Sequence, residues 1–172
     1  MDGRWMWVAI FSSFLAAAVP GVVLATESQH LFIIERSANA NTVVYDLRLG
    51  ADGTPPRKDP IDAYWKRYAT SGKRMELRWL EKRLAYGVKM KSRVSPTGFD
   101  FHVRAFDERR ISVRKVDGVY RATLEIDGAP AHLNKVYVST GDKGLIPRVY
   151  FIELFGETLN GGHAAYEKIV SD

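Results

Sequence analysis

The chain has 172 residues, with 25 lysines and arginines against 20 aspartates and glutamates, for a formal net charge of +5. It contains no cysteine, which excludes a disulfide framework, a thiolate nucleophile and a cysteine-ligated zinc. The length suits one domain, and the modest excess of base favours solubility and anionic partners without naming one.

Trp5 to Val19 is an apolar run between Arg4 and Pro20-Gly21, and Val23-Leu24-Ala25 offers the small or apolar residues a signal peptidase reads. This predicts a signal peptide over residues 1–25 and a single β-rich domain over 26–172, with no stable membrane span after cleavage. The alternative is an uncleaved anchor, because Trp5 to Ala25 is almost long enough to span a bilayer. An exported chain without disulfides fits a bacterial envelope, so a periplasmic or secreted location is expected.

His30 to Arg36 reads as a compact strand, Ser37 to Asn41 as a turn, and Thr42 to Leu49 as a second, alternating strand, which makes a hairpin. Gly50 to Pro60 holds three prolines and two glycines and is a loop; Asp52-Gly53 within it supplies too little acid for a calcium loop. Asp59-Pro60-Ile61-Asp62 resembles a helix start, and Ile61, Tyr64, Trp65 and Tyr68 fall at helical spacing. A strand there is the competing reading, since Ala63-Tyr64-Trp65 is short and aromatic. Arg74 to Ala85 is the strongest helical pattern, with Leu77, Leu80 and Leu84 in one stripe and Gly87 at its end. The leucines are expected to cover the apolar face of the sheet that follows.

That sheet is a four-stranded meander over Tyr86 to Ile126, alternating apolar and polar residues through four runs. Ser95-Pro96-Thr97-Gly98 and Asp117-Gly118 mark turns. Centring hairpins on the turns pairs Arg93 with Asp100, Ala105 with Ile111, and Val116 with Val119. The polar face then carries one row, Lys91–His102–Arg114–Arg121, in which like charges oppose one another and so ask for a ligand or a reason. Asp127 to Pro130 is a further turn, Ala131 to Ser139 and Ile146 to Phe155 are strands around a loop at Thr140 to Gly144, and Ala164 to Val170 is a closing element of open type. The fold expected is α+β, β-rich: about seven antiparallel strands, curved or partly closed, with one covering helix.

Three stretches resemble a known family: Ile34-Glu35-Arg36-Ser37-Ala38-Asn39-Ala40-Asn41-Thr42-Val43-Val44-Tyr45-Asp46, then Pro60-Ile61-Asp62-Ala63-Tyr64-Trp65, then Leu77 through Ala85-Tyr86-Gly87. They are similar to the bacterial proteins grouped as domain of unknown function 4833, over residues 30 to 170 or so. The resemblance implies no activity and transfers no site residue. It implies an extended Pro-Ile-x-x-Tyr-Trp segment, against a helix at 60–68.

The chemistry-bearing residues point to binding rather than catalysis. Asp100 and His102 share a strand face, as a general base would need, but a solvated histidine in a polar face is the simpler reading. His30, His102, His132 and His163 have no ligand spacing, so neither a metal nor another cofactor is expected. No glycine-rich phosphate loop is present. Glu35, Arg36, Asn39, Asn41 and Asp46 could bind a sugar or close the first turn. Tyr64 and Trp65, with Tyr68 and Trp79, could line an apolar pocket or simply fill the core.

The function expected first is a non-catalytic envelope protein holding a lipid or other amphipathic anion, with Tyr64 and Trp65 for the apolar part and Lys91, His102, Arg114 and Arg121 for the head group. Anionic lipid or polysaccharide is the expected ligand, and nucleic acid is not, given export. The second expectation is a structural module docking on another envelope protein through the basic face. The third is a hydrolase using His102.

Overall fold

The computed structural model describes residues 27–141, 148–160 and 162–171; the expected leader over 1–25 lies outside them. The elements run in order β1 (Glu27–Arg36), β2 (Asn39–Leu49), β3 (Ile61–Lys66), β4 (Arg74–Glu76), α1 (Trp79–Glu81) continuing into a π turn (Lys82–Tyr86), β5 (Val88–Met90), β6 (Gly98–Val103), β7 (Phe106–Val116), β8 (Val119–Ile126), β9 (Ala129–Gly141), β10 (Arg148–Thr158) and β11 (Ala164–Val170). The closing element is thus a strand. All eleven strands belong to one sheet, an open half-barrel, where about seven had been expected.

The sheet order is β4-β3-β2-β1-β9-β8-β7-β6-β5, with β10 and β11 branching from β9. The branch arises because β9 is long. Its first residues pair with β8, Lys135 to Val138 pair in parallel with Ile33 to Arg36 of β1, and β10 pairs along nearly all of it. Gly156 of β10 passes close against β9: a Cβ there would collide with the His132 carbonyl oxygen, so only glycine fits.

The alternation read from the sequence does set the buried face. Phe32, Tyr45, Phe99, Phe101, Ile111, Val113, Leu133 and Leu154 are sealed from solvent. Phe32 stacks on Tyr45 at 4.5 Å between ring centroids and on Phe101 at 6.4 Å. Burial of such side chains stabilises by roughly 1.5–3 kcal/mol each.

At 60–68, where helix and strand were both open, the extended segment implied by the family resemblance is the one found, and the helix expected over 74–85 is corrected. Residues 61–66 form β3, hydrogen-bonded to β2 on one side and β4 on the other. The stretch 74–85 divides: Arg74–Glu76 is drawn onto the sheet edge as β4, and helical turns begin only at Trp79. Arg74 is held there by Asp62 at 3.0 Å and Glu76 at 2.8 Å. Leu77 is buried, but Leu80 and Leu84 are 57% and 68% exposed, so the leucine stripe does not cover the sheet.

The meander registers are corrected in two places out of three. Val116 pairs with Val119 as expected, on a turn whose Asp117 and Gly118 both have positive φ, the conformation such a tight hairpin requires. Ser95 and Gly98 also pair across Pro96-Thr97. Beyond them, however, the amides of Lys91 and Ser92 both reach the Asp100 carbonyl. That bulge slips the ladder by two residues, so Lys89, not Lys91, opposes His102. In the next hairpin the turn is Arg104-Ala105, Val103 pairs with Phe106, and a bulge then sets Asp100 opposite Ser112 and Gly98 opposite Arg114.

Candidate functional site

The slipped ladders disperse the expected basic row. Lys91 lies past the end of β5, and its amide bonds the Asp100 carbonyl. His102 is buried, with its Nδ1 against the Asp107 carbonyl oxygen. Arg114 and Arg121 do remain opposite one another. Yet Arg114 turns its guanidinium to Asp100 at 2.6 Å and to the carbonyls of Phe99 and Val113 at 2.8 and 2.9 Å, which relieves the like-charge contact. Burial works to raise the Asp100 carboxyl, but hydrogen bonds from Arg114 and Ser112 and the nearby guanidinium charges hold it below its usual value. The carboxylate a hydrolase would aim at His102 is therefore committed to Arg114 and Ser112.

Tyr64 and Trp65 are adjacent on one strand and so face opposite sides of the sheet. Trp65 is inside, edge-on to Tyr86 at 5.2 Å and under the Arg36 guanidinium at 4.6 Å. Tyr64 is on the outer face, where its hydroxyl donates to Asp46 at 2.8 Å and the Arg74 guanidinium lies 4.0 Å from its ring. Desolvation and the Asp46 carboxylate push its pKa up to about 12. His30 Nδ1 lies 2.9 Å from the same carboxylate. One pocket cannot use both aromatics. The asparagines of the first hairpin serve the backbone: Asn39 accepts from the Asn41 amide and Asn41 from the Ala69 amide, each at 3.0 Å.

The half-barrel leaves a different site at its opening. Residues 77–87 cross from the β4 side to β5, and the crossing is fixed at both ends. Leu77 is buried at one end. At the other, the Tyr86 carbonyl accepts from the Tyr45 hydroxyl at 2.8 Å, and the carbonyls of Ala85 and Gly87 accept from the Ala105 and Arg104 amides at 2.9 and 3.0 Å. A side chain at Gly87 would collide with the Lys82 carbonyl, so the chain can turn this tightly only there. Beneath the crossing lies a groove of about 740 Å³. Ile61, Ala63, Leu77 and Val88 form its less accessible wall, packed on or within the core. Lys82, Arg83 and Arg104 line its exposed side with Asp59 and Trp79, and the half-buried Arg48 and Asp62 lie between the two.

Its charges are unequally engaged. Arg48 is tied to Asp62 at 3.1 Å and to the Asp59 carbonyl at 3.1 Å. Lys82 reaches Glu76 only at 3.8 Å. Arg83 lies over the Trp79 ring at 5.1 Å. Among the described residues neither Arg83 nor Arg104 has a carboxylate partner. Guanidinium groups grip phosphate or carboxylate oxygens in pairs, and the apolar wall behind them can take a hydrocarbon tail. None of these four cations belongs to the expected set. They come from three separated segments, and no spacing along the chain announces them.

A family model described as Domain of unknown function (DUF4833) matches residues 32–168 of the chain. No curated protein and no solved structure matches it.

Proposed function

The chain belongs to the DUF4833 family, whose description assigns no chemistry, and from its own residues we propose that it is a non-catalytic, exported envelope protein that binds an amphipathic anion. The groove beneath residues 77–87 holds the ligand. Arg104 and Arg83 take the anionic head, Lys82 and Arg48 flank it, and Ile61, Ala63, Leu77 and Val88 take the first methylenes of the tail. The observation that supports this reading is the pairing of an apolar wall with two guanidinium groups that have no carboxylate partner among the described residues. The reading of a protein-docking module through a basic sheet face now has no contiguous basic row to support it.

The test is calorimetric titration with short-chain phospholipids below their micellar concentration. Dihexanoylphosphatidylglycerol should bind, and dihexanoylphosphatidylcholine at least tenfold more weakly. Arg104→Ala should weaken the anionic ligand about tenfold, since a hydrogen bond to a charged group is worth about 1.5–3 kcal/mol. Equal affinity for the two head groups would remove the reading.

A further inference from the structure

Trp79, Leu80 and Leu84 are 65%, 57% and 68% exposed, all within one short turn. Single exposed apolar residues are ordinary, but three together form a patch that needs a partner. The turn cannot roll over to hide them, because buried Leu77 holds one end and Tyr86, bonded to Tyr45 and packed on Trp65, holds the other. Its first residue is fixed too: the Glu81 carboxylate accepts from the Arg78 amide at 2.7 Å. The patch is therefore a rigid feature of the surface.

The charges around it say what it meets. Arg78, Lys82 and Arg83 are exposed and alternate with the apolar side chains along the turn. Lys82 and Arg83 stand between Leu80 and Leu84 in the chain. A protein groove accepting the leucines would have to desolvate these cations or match each with an acid. The interface of an anionic bilayer meets both needs at one depth, with hydrocarbon below and phosphates beside it. Tryptophan and leucine flanked by lysine and arginine are the residues that lie in that interface.

We propose that the turn Arg78–Leu84 is a bilayer contact: Trp79, Leu80 and Leu84 enter the head-group region of an anionic leaflet while Arg78, Lys82 and Arg83 bind its phosphates. Trp79, Lys82 and Arg83 also border the groove, so this contact brings the groove's mouth to the leaflet. A further step rests on the proposed function above: the amphipathic anion is then a lipid of that same leaflet.

The experiment compares the protein with a Leu80→Glu/Leu84→Glu double variant in co-sedimentation with phosphatidylglycerol–phosphatidylcholine vesicles and with pure phosphatidylcholine vesicles. Neither leucine lines the groove, and both forms are compared as residues 26–172, so that the apolar run Trp5–Val19 does not mask the difference. The wild type should bind the anionic vesicles at least tenfold more tightly than the zwitterionic ones, with added salt weakening it. The double variant should lose at least tenfold on anionic vesicles and keep its affinity for short-chain phosphatidylglycerol. Equal vesicle binding by the two forms, or none by the wild type, overturns the bilayer contact. The groove then stands or falls separately, on short-chain binding and its response to Arg104→Ala.

Discussion

Tyr120 marks the point where β8 has left β9 and, among the described residues, no strand pairs with it on that side. Gln29 supplies what is missing: its amide oxygen accepts from the Tyr120 N–H at 2.9 Å, and its NH₂ donates to the Tyr120 carbonyl. One side chain thus imitates a residue pair of an antiparallel ladder and ties β1 to β8. Gln29→Ala should cost about 1–2 kcal/mol in a urea melt, toward the lower end of an unmet pair because water reaches part of the site. A cost below about half a kcal/mol would mean that water replaces the amide without penalty.

Asp100 carries a pH dependence at the same scale. Its folded value is depressed, so its contribution is complete above the unfolded value of about 3.9 and is lost as pH falls through the folded one. Asp100→Asn should be less stable than wild type at pH 7, and the gap should close on acidification below about pH 4. Parallel stability curves for the two proteins from pH 7 to pH 2 would show that Arg114 and Ser112 do not favour the charged form.

Among the elements, the stretch 74–86 separates what periodicity can and cannot report. The Leu77–Leu80–Leu84 stripe is real in the sequence, but it does not register the pull of a sheet edge on Arg74–Glu76, where Lys66 opposes Arg74 and Tyr64 opposes Glu76. Leu77→Ala should cost about 2–5 kcal/mol, and Leu80→Ala or Leu84→Ala less than about half a kcal/mol. Comparable losses at all three would restore the covering helix. The meander shows the same division. Asp117-Gly118 and Asp127-Gly128 were legible, because a turn with two positive-φ positions leaves a local mark. The Arg104-Ala105 turn has neither glycine nor asparagine, and the bulges beside it insert residues without changing composition, so the ladder slipped unseen. Parity preserved the buried face through the slip at β5, which is why the core was readable while the row Lys91–His102–Arg114–Arg121 was not. The groove was hidden for another reason: Arg48, Lys82 and Arg104 meet only once the sheet has curled.

At the scale of the whole molecule, the sheet is not uniformly held. β9 joins the two ends of the chain, since Ile33 pairs with Lys135 across most of its length, a link that local pattern cannot reveal and that pays its loop-closure entropy late in folding. β2 lies between β1 and β3 and is buried without interruption from Asn41 to Leu47. β11, by contrast, has β10 as its one neighbour and no buried residue. Three side-chain links fasten it: Glu167 to Arg109 at 2.5 Å, Glu167 to the Asp127 amide at 2.9 Å, and the Tyr166 hydroxyl to Glu153 at 2.7 Å. Few buried contacts and solvent-facing backbone bonds place a strand at the low end of the opening free energies. Native-state hydrogen exchange should therefore show β11 amides exchanging at least tenfold faster than those of β2. Glu167→Ala should quicken β11 further and leave β2 unchanged, because β2 opens only when the half-barrel itself unfolds. If β11 and β2 instead exchanged together at every denaturant concentration, the branch from β9 would be as firmly built as the barrel, and the ion pair with Arg109 would belong to the global transition.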